Sequence, residues 1–305
     1  MQKAQLPKII AVVGPTATGK SDLGVVLARK FNGEIISADS RQVYKGMNIG
    51  TGKITKREMR GVPHHLLDVA SAKSGNYNVN KFKKAAEKTI SAILNRGKLP
   101  ILVGGTGFWI EAVAKNQEFH DVRPNPILRT KLEKVSVPKL FAMLKKIDPK
   151  RAASIDPNNK RRIIRAIEIA KELKRSSTEL PTPQPKYQTL FIGLDMSDEQ
   201  LRKKINERLD KRLKGGMVKE IKKLRRQGVS WKKLDDFGLE YRFVAAYLQR
   251  KINPKEMREQ LATAIWQYAK RQRTWFKRNE KINWFDPTKK QFLTKGIALV
   301  KKYLG

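Results

Sequence analysis

The sequence predicts an α/β fold, a parallel sheet core behind a phosphate-binding loop, with a helical insertion. Three observations predict it. The first is Gly14-Pro15-Thr16-Ala17-Thr18-Gly19-Lys20-Ser21, which satisfies G-x-x-x-x-G-K-[ST] at every fixed position. The apolar run Lys8 to Val13 precedes it, and Leu23, Val26 and Leu27 follow at helical spacing. Strand, loop and helix in that order are the mechanical setting of a phosphate loop. The second is the return of short apolar runs at 34–38, 99–103 and 189–194, which read as further buried strands. The third is a change beyond Gln117, where Pro124, Pro126, Pro138 and Pro149 punctuate short amphipathic helices. Together these give a P-loop NTPase-like parallel sheet core from residues 1–116 and 187–305, with 117–186 as the helical insertion domain.

In chain order, the loop comes first. Backbone N–H groups at the head of a helix form a concave anion site. Gly14, Thr16, Ala17, Thr18, Gly19, Lys20 and Ser21 are therefore candidates to hold a diphosphate. Lys20 would reach its outer phosphates, and Ser21 would offer a hydroxyl to Mg²⁺. The second strand ends in Asp39-Ser40-Arg41-Gln42. Working residues of doubly wound sheets lie beyond the carboxyl ends of strands, so topology sets Asp39 beside the loop. An Asp capping the next turn would look the same. Residues 43–77 read as irregular, with Gly50-Thr51-Gly52-Lys53 and the adjacent His64 and His65. His120 is the only other histidine, so hydrogen bonding within an ordered loop suits the pair better than metal ligation. A helical pattern from Val79 ends at Asn95-Arg96-Gly97. The strand at 99–103 runs into Gly104-Gly105-Thr106-Gly107, where a nucleotide-hydrolysing ATPase would place an Asp for Mg²⁺. Thr106 could aim its hydroxyl into the site or simply belong to a strand-to-helix turn.

Within the insertion, Asp156-Pro157-Asn158-Asn159 starts a helix carrying Arg161, Arg162 and Arg165 beside Ile163, Ile164 and Ile167. These arginines suit phosphate contacts or a solvated face. The prolines between Ser176 and Pro185 predict a linker back to the sheet. After the strand at 189–194, a basic helix from about Glu199 places Arg208 and Arg212 one turn apart. Near the end, Lys270, Arg271 and Arg273 interleave with Tyr268, Trp275 and Phe276. That pattern suits RNA backbone contact with base stacking, or core aromatics under surface charge.

Composition narrows the partners. Of 305 residues, 66 are Lys or Arg and 28 are acidic, a net charge of +38 that reads as a footprint for nucleic acid. A lysine-rich proteome or an anionic membrane surface would leave the same mark. With no cysteine there is no disulfide framework, thiolate nucleophile or cysteine-based zinc site. No segment approaches the roughly 20 apolar residues that span a bilayer, and no signal pattern opens the chain. A cytoplasmic, monomeric protein without membrane association is expected.

Six stretches in order, GPTATGKS at 14–21, SADSRQVYKGMNIGTGK at 37–53, GVPHHLLD at 61–68, LVGGTG at 102–107, RRIIRAIE at 161–168 and YAKRQRTWF at 268–276, span nearly the whole chain. As a set the chain resembles the bacterial tRNA dimethylallyltransferases, also called tRNA isopentenyltransferases. The resemblance implies transfer of a dimethylallyl group from dimethylallyl diphosphate to the exocyclic amine of the adenosine 3′-adjacent to the anticodon in tRNA, with diphosphate released and Mg²⁺ assisting. It implies that Asp39 is the general base, with Lys20, Thr106 and Arg208 catalytic beside it. By the same resemblance Ser40, Arg41, Gln42, Thr106 and the 161–165 segment contact tRNA.

The chain departs from the family's usual pattern in places. GTGLY reads Gly105-Thr106-Gly107-Phe108-Trp109, a Thr-Arg pair reads Ile265-Trp266, a glycine-tyrosine reads Gly238-Leu239-Glu240-Tyr241, and GTAKP reads Gly50-Thr51-Gly52-Lys53-Ile54. These put the tRNA grip and the shape of the allyl pocket in question, not the reaction type. A small-molecule or nucleoside kinase would share the loop but leave the charge unexplained. An RNA-binding module switched by ATP would want the missing strand-end Asp.

Overall fold

Six segments pair side by side, all parallel: β1 (Lys8–Val13), β2 (Gly33–Ser37), β3 (His64–His65), β4 (Leu99–Val103), β5 (Gln188–Leu194) and β6 (Ile282–Phe285), in the order β3-β2-β4-β1-β5-β6. This computed structural model describes residues 5–73, 77–174, 176, 178 and 183–305. The register sets Ile10 opposite Ile101, Ile36 opposite Leu102 and Ala11 opposite Phe191. Successive side chains point to opposite faces of a strand. Accordingly Ile9, Ala11 and Val13 enter one core and Ile10 and Val12 the other. A sheet buried on both sides needs apolar residues on both, which is why these strands read as continuous apolar runs. The second strand begins one residue earlier than the 34–38 run suggests, because Gly33 already pairs with Leu99.

Parallel neighbours need crossovers, and helices supply them. They are α1 (Lys20–Lys30), α2 (Lys56–Met59), α3 (Val79–Asn95) and α4 (Gly107–Ala114), then α5 (Pro126–Glu133), α6 (Val137–Ile147), α7 (Pro149–Ser154) and α8 (Lys160–Leu173). After β5 come α9 (Asp198–Lys214), α10 (Met217–Arg226), α11 (Trp231–Phe237), α12 (Leu239–Leu248), α13 (Pro254–Phe276) and α14 (Phe292–Leu304). Helices α3, α4 and α9 to α13 share the core of Ile9, Ala11 and Val13, whereas α1 and α14 cover the opposite face. Local sequence fixes the helix starts. Asn78 caps α3 through the Lys81 N–H, and Asn253 with Glu256 forms a capping box ahead of Pro254 at the head of α13. Gly14 joins β1 to the loop with φ 134°, and a Cβ there would strike the Leu194 carbonyl, so glycine is required.

Two compact units result, Met1–Lys115 with Pro185–Gly305, and Asn116–Gln184. In the second, the prolines open helices rather than break them. Pro126 and Pro149 take the first helical positions after the caps Asn125 and Asp148, where a missing N–H costs nothing. Asn159 caps α8 by accepting from the Arg162 N–H. Its core is Leu132, Leu140, Leu144, Ile163, Ile164 and Ile167. Residues 177 and 179–182 of the linker expected at 176–185 lie outside the described residues, as do residues 74–76 of the stretch read as irregular.

Candidate active site

A cavity of about 480 Å³ opens at the carboxyl ends of β1, β2 and β4, lined among others by Thr16, Lys20, Asp39, Arg208 and Tyr268. The loop turns tightly through two left-handed residues, Ala17 (φ 65°) and Gly19 (φ 86°), and α1 starts at Lys20. Thr18 Oγ1 donates to the Pro15 carbonyl at 2.9 Å, and Lys20 Nζ donates to the same oxygen. Burial and the nearby Arg208 guanidinium push the Lys20 ammonium down to about 7, with Asp39 opposing in part. Arg208 is lowered to about 10 by burial and by Arg212 beside it. Two cations held at a cost, facing an aqueous cavity at a helix N-terminus, favour an anion of several charges.

Asp39 leaves β2 into a turn that it caps itself. One carboxylate oxygen accepts the Arg41 N–H at 2.8 Å and the Gln42 N–H at 3.3 Å. The capping and pocket-facing readings of Asp39 are thus compatible. Beyond the lining of the cavity, Thr106 Oγ1 accepts the Ser40 N–H at 3.1 Å, which ties the ends of β2 and β4 together. Gln42 Nε2 reaches the Gly52 carbonyl at 3.4 Å while its Oε1 accepts from Ser37 Oγ at 3.1 Å. Tyr268, pushed well up by burial, stays a neutral phenol in the same wall.

The 48–52 loop is ordered from a distance. Glu220 of α10 accepts the Asn48, Ile49 and Gly50 N–H groups at 2.9, 2.6 and 3.1 Å, and the Tyr241 hydroxyl at 2.9 Å. The carbonyls of that loop orient the arginines. Arg212 donates to Gly50 O at 3.1 Å and to buried Glu240 at 2.9 Å, and Arg208 donates to Gly52 O at 3.4 Å. Glu220 and Glu240 carry no signal in the sequence, because nothing local marks a carboxylate whose partners lie as far as 172 residues away. The Glu240 departure is explained by this pairing. Trp266 is likewise core, 5% exposed beneath the Arg202 guanidinium. Trp109 stacks on Phe82 with centroids 4.4 Å apart, and only Phe108 of the Phe108-Trp109 pair is exposed.

The residues expected at tRNA divide sharply. Lys270 and Arg271 are exposed on α13, and Arg161 and Arg162 are exposed on α8. Arg273 is different. It turns inward to Asp195 at 2.8 Å, Asp198 at 2.5 Å and the Met196 carbonyl at 3.0 Å, so it clamps the β5–α9 turn instead of presenting its charge. Arg165 is also spent internally, on Glu168 at 3.2 Å and the Val122 carbonyl at 2.7 Å. Arg41 donates to the Phe237 carbonyl at 2.7 Å and lies over that ring. Phe276 is core at 4% exposed.

Metal ligation is thinly provided for. His65 Nε2 pairs with Glu34 at 2.6 Å and His64 Nδ1 with the Val62 carbonyl at 2.8 Å, and no group of three His, Asp or Glu among the described residues could hold an ion. The Ser21 hydroxyl at the head of α1, which lines the cavity, is the sort of donor that fits Mg²⁺ carried largely by phosphate oxygens and water.

Sequence comparison matches residues 42–279 to the IPP transferase family. The chain is 40% identical over 301 residues to the tRNA dimethylallyltransferase of Anoxybacillus flavithermus, covering 97% of this chain and 96% of that one. The chain belongs to the IPP transferase family. Among solved structures, the full-length tRNA isopentenylpyrophosphate transferase of Bacillus halodurans is 39% identical, covers 97% of this chain and 95% of its own, and superposes with a TM-score of 0.72. A eukaryotic dimethylallyltransferase acting on tRNA superposes at 0.83 with 28% identity, over 98% of this chain and 79% of that one. The family therefore shares this parallel sheet, as the P-loop reading expects. No helix among the described residues is long and apolar enough to cross a membrane.

Proposed function

We propose that this chain transfers the dimethylallyl group of dimethylallyl diphosphate to the exocyclic amine of the adenosine 3′-adjacent to the anticodon in tRNA. One observation carries the reading: a single cavity holds a phosphate loop with two cations, Lys20 and Arg208, and a carboxylate, Asp39, beyond the neighbouring strand end. Family membership and the +38 charge support it.

The chemistry follows from the geometry. As the allylic C–O bond breaks, positive charge grows on carbon and negative charge on the departing diphosphate. Loop amides, Lys20 and Arg208 stabilise that negative charge in place, without reorganising at the moment of reaction. The amine forms the new N–C bond and gives its proton to Asp39, whose position is fixed by the Arg41 and Gln42 N–H groups. Thr106, anchored by Ser40, keeps its hydroxyl hydrogen to donate towards the incoming base. Ser21 would hold Mg²⁺ together with the diphosphate, and the ion when bound neutralises charge on the leaving group. Lys270 and Arg271, with Arg161 and Arg162, are the cations we assign to the tRNA backbone, acting by charge rather than by base identity.

Incubating the chain with unmodified tRNA, Mg²⁺ and dimethylallyl diphosphate, then analysing the nucleosides, tests the proposal. Prenylated adenosine is the expected product. Its absence at every salt concentration, with brisk ATP turnover, would overturn the assignment.

A further inference from the structure

Helix α13 meets the phosphate loop through one buried side chain. Gln272 is 6% exposed, and its amide is used at both ends. Oε1 accepts the Thr16 N–H at 2.8 Å, and Nε2 donates to the Gly105 carbonyl at 2.8 Å. Gly105 makes room for it, since a Cβ there would strike Gln272 Nε2. An amide with one donor and one acceptor to satisfy has a single orientation, so the loop and the glycine turn are held at a set separation.

The consequence passes through a single peptide plane. The Thr16 N–H belongs to the Pro15–Thr16 peptide, and the carbonyl of that peptide receives Lys20 Nζ and Thr18 Oγ1. The six atoms of a peptide are coplanar, so fixing its N–H fixes the direction of its C=O. We infer that Gln272 is a positioning residue for the diphosphate site: it pins the Pro15–Thr16 peptide and thereby the place from which Lys20 meets the outer phosphates. It also commits the Thr16 N–H to protein, leaving the anion to amides further along the loop. Proline at position 15 has no N–H of its own to compete for the glutamine.

This inference rests on the reading that the loop holds dimethylallyl diphosphate, and its test separates the two. Binding of dimethylallyl diphosphate to the full chain is measured by titration calorimetry at pH 6 and pH 8, for wild type, Gln272→Leu and Gln272→Glu. Gln272→Leu keeps the volume and loses both hydrogen bonds, so affinity falls about tenfold, and KM rises with it, while tRNA affinity stays put. Gln272→Glu gives the finer readout. A protonated carboxyl accepts from Thr16 and donates to Gly105 as the amide does, and burial favours that neutral form. Ionised, it opposes the Gly105 carbonyl and repels the diphosphate. The variant's deficit relative to wild type should therefore be larger at pH 8 than at pH 6. The glutamate variant also preserves the test should the leucine variant fail to fold. Wild-type binding with both variants within twofold of it, or a glutamate deficit equal at both pH values, would reduce Gln272 to packing and overturn the inference alone. A wild-type chain that binds no dimethylallyl diphosphate would overturn the parent reading and this one with it.

Discussion

The two ends of β2 carry charge in opposite states. Near its start, Glu34 is 3% exposed and is met by His65 at 2.6 Å, Arg96 at 2.7 Å and Lys98 at 2.9 Å. Burial alone would raise its carboxyl, but hydrogen bonds from Lys98, Arg96 and His65 outweigh that and hold it down to about 2. Just past the other end, Lys20 and Arg208 are both lowered, by burial and by repulsion between like charges. The first cluster is neutralised within the protein; the second, with Asp39 opposing only in part, is the one that the proposed reading completes with a bound diphosphate. Glu168 of the insertion unit, gripped by Arg129 at 2.7 Å and held below its usual range by that contact despite burial, belongs with Glu34. The difference separates charge that holds a fold from charge that awaits a ligand.

Removing each end tests the contrast, and Asp39 gives the largest effect. Asp39→Ala should lower turnover by about 10²–10⁴-fold, the usual scale of general-base help. Its affinity for tRNA should remain within about twofold, because the backbone contacts are elsewhere. Single-turnover rates and filter binding measure the two, and equal losses in both would dissolve the division of labour. Lys20 comes next. Burial and Arg208 lower this lysine to about 7, and on the proposed reading a bound diphosphate would restore its charge. Binding at pH 8 should take up about one proton, and affinity should fall by up to about tenfold per pH unit above 7. Calorimetry in two buffers of different ionisation enthalpy reads the uptake, and Lys20→Met should abolish it. The stability sign is opposite to that of a paired lysine. Between about 7 and its ordinary value of 10.5 the unfolded chain binds more protons, so this group's share of stability rises with pH across that window. Lys20→Met should flatten that rise.

The complete cluster predicts the converse. Glu34→Gln should destabilise the fold by about 2 kcal/mol, below the roughly 3–5 of a fully enclosed pair because Arg96 and Lys98 reach solvent. The turnover of the folded fraction should be unchanged. With its pKa lowered from 4.5 to about 2, Glu34 contributes fully above 4.5, and that contribution is lost as pH falls through about 2. Acid denaturation of wild type against Glu34→Gln isolates it.

How far the sequence shows this in advance depends on the range of the interaction. The phosphate loop, Asp39 and the strands β1, β2, β4 and β5 are legible because motif, apolar run and strand-end topology are local. Strand β6 is short with two exposed residues, and β3 exists only because His64 and His65 pair with Ile35 and Ile36, so neither announces itself. Gln272 and Glu220 are hidden for a different reason. Each serves backbone atoms 256 and 170–172 residues away, a distance at which sequence spacing carries no signal.

The adjacent basic residues of α13 give the smallest effect and the sharpest discrimination. Read from spacing, Arg271 and Arg273 look alike; read from the helix they point to different neighbours, because two residues are about 200° apart on a 3.6-residue turn. Arg271 faces solvent, whereas Arg273 is consumed by Asp195 and Asp198. Arg271→Ala should weaken tRNA binding a few-fold and reduce the slope of log affinity against log salt by about 1, as expected when one fewer phosphate is neutralised. Arg273→Ala should leave that slope intact and instead lower the thermal midpoint, since Asp195 and Asp198 are left facing each other across the β5–α9 turn. Equal changes in slope for the two variants would mean that Arg273 leaves its carboxylates when RNA arrives, and that the inward clamp belongs to the RNA-free enzyme alone.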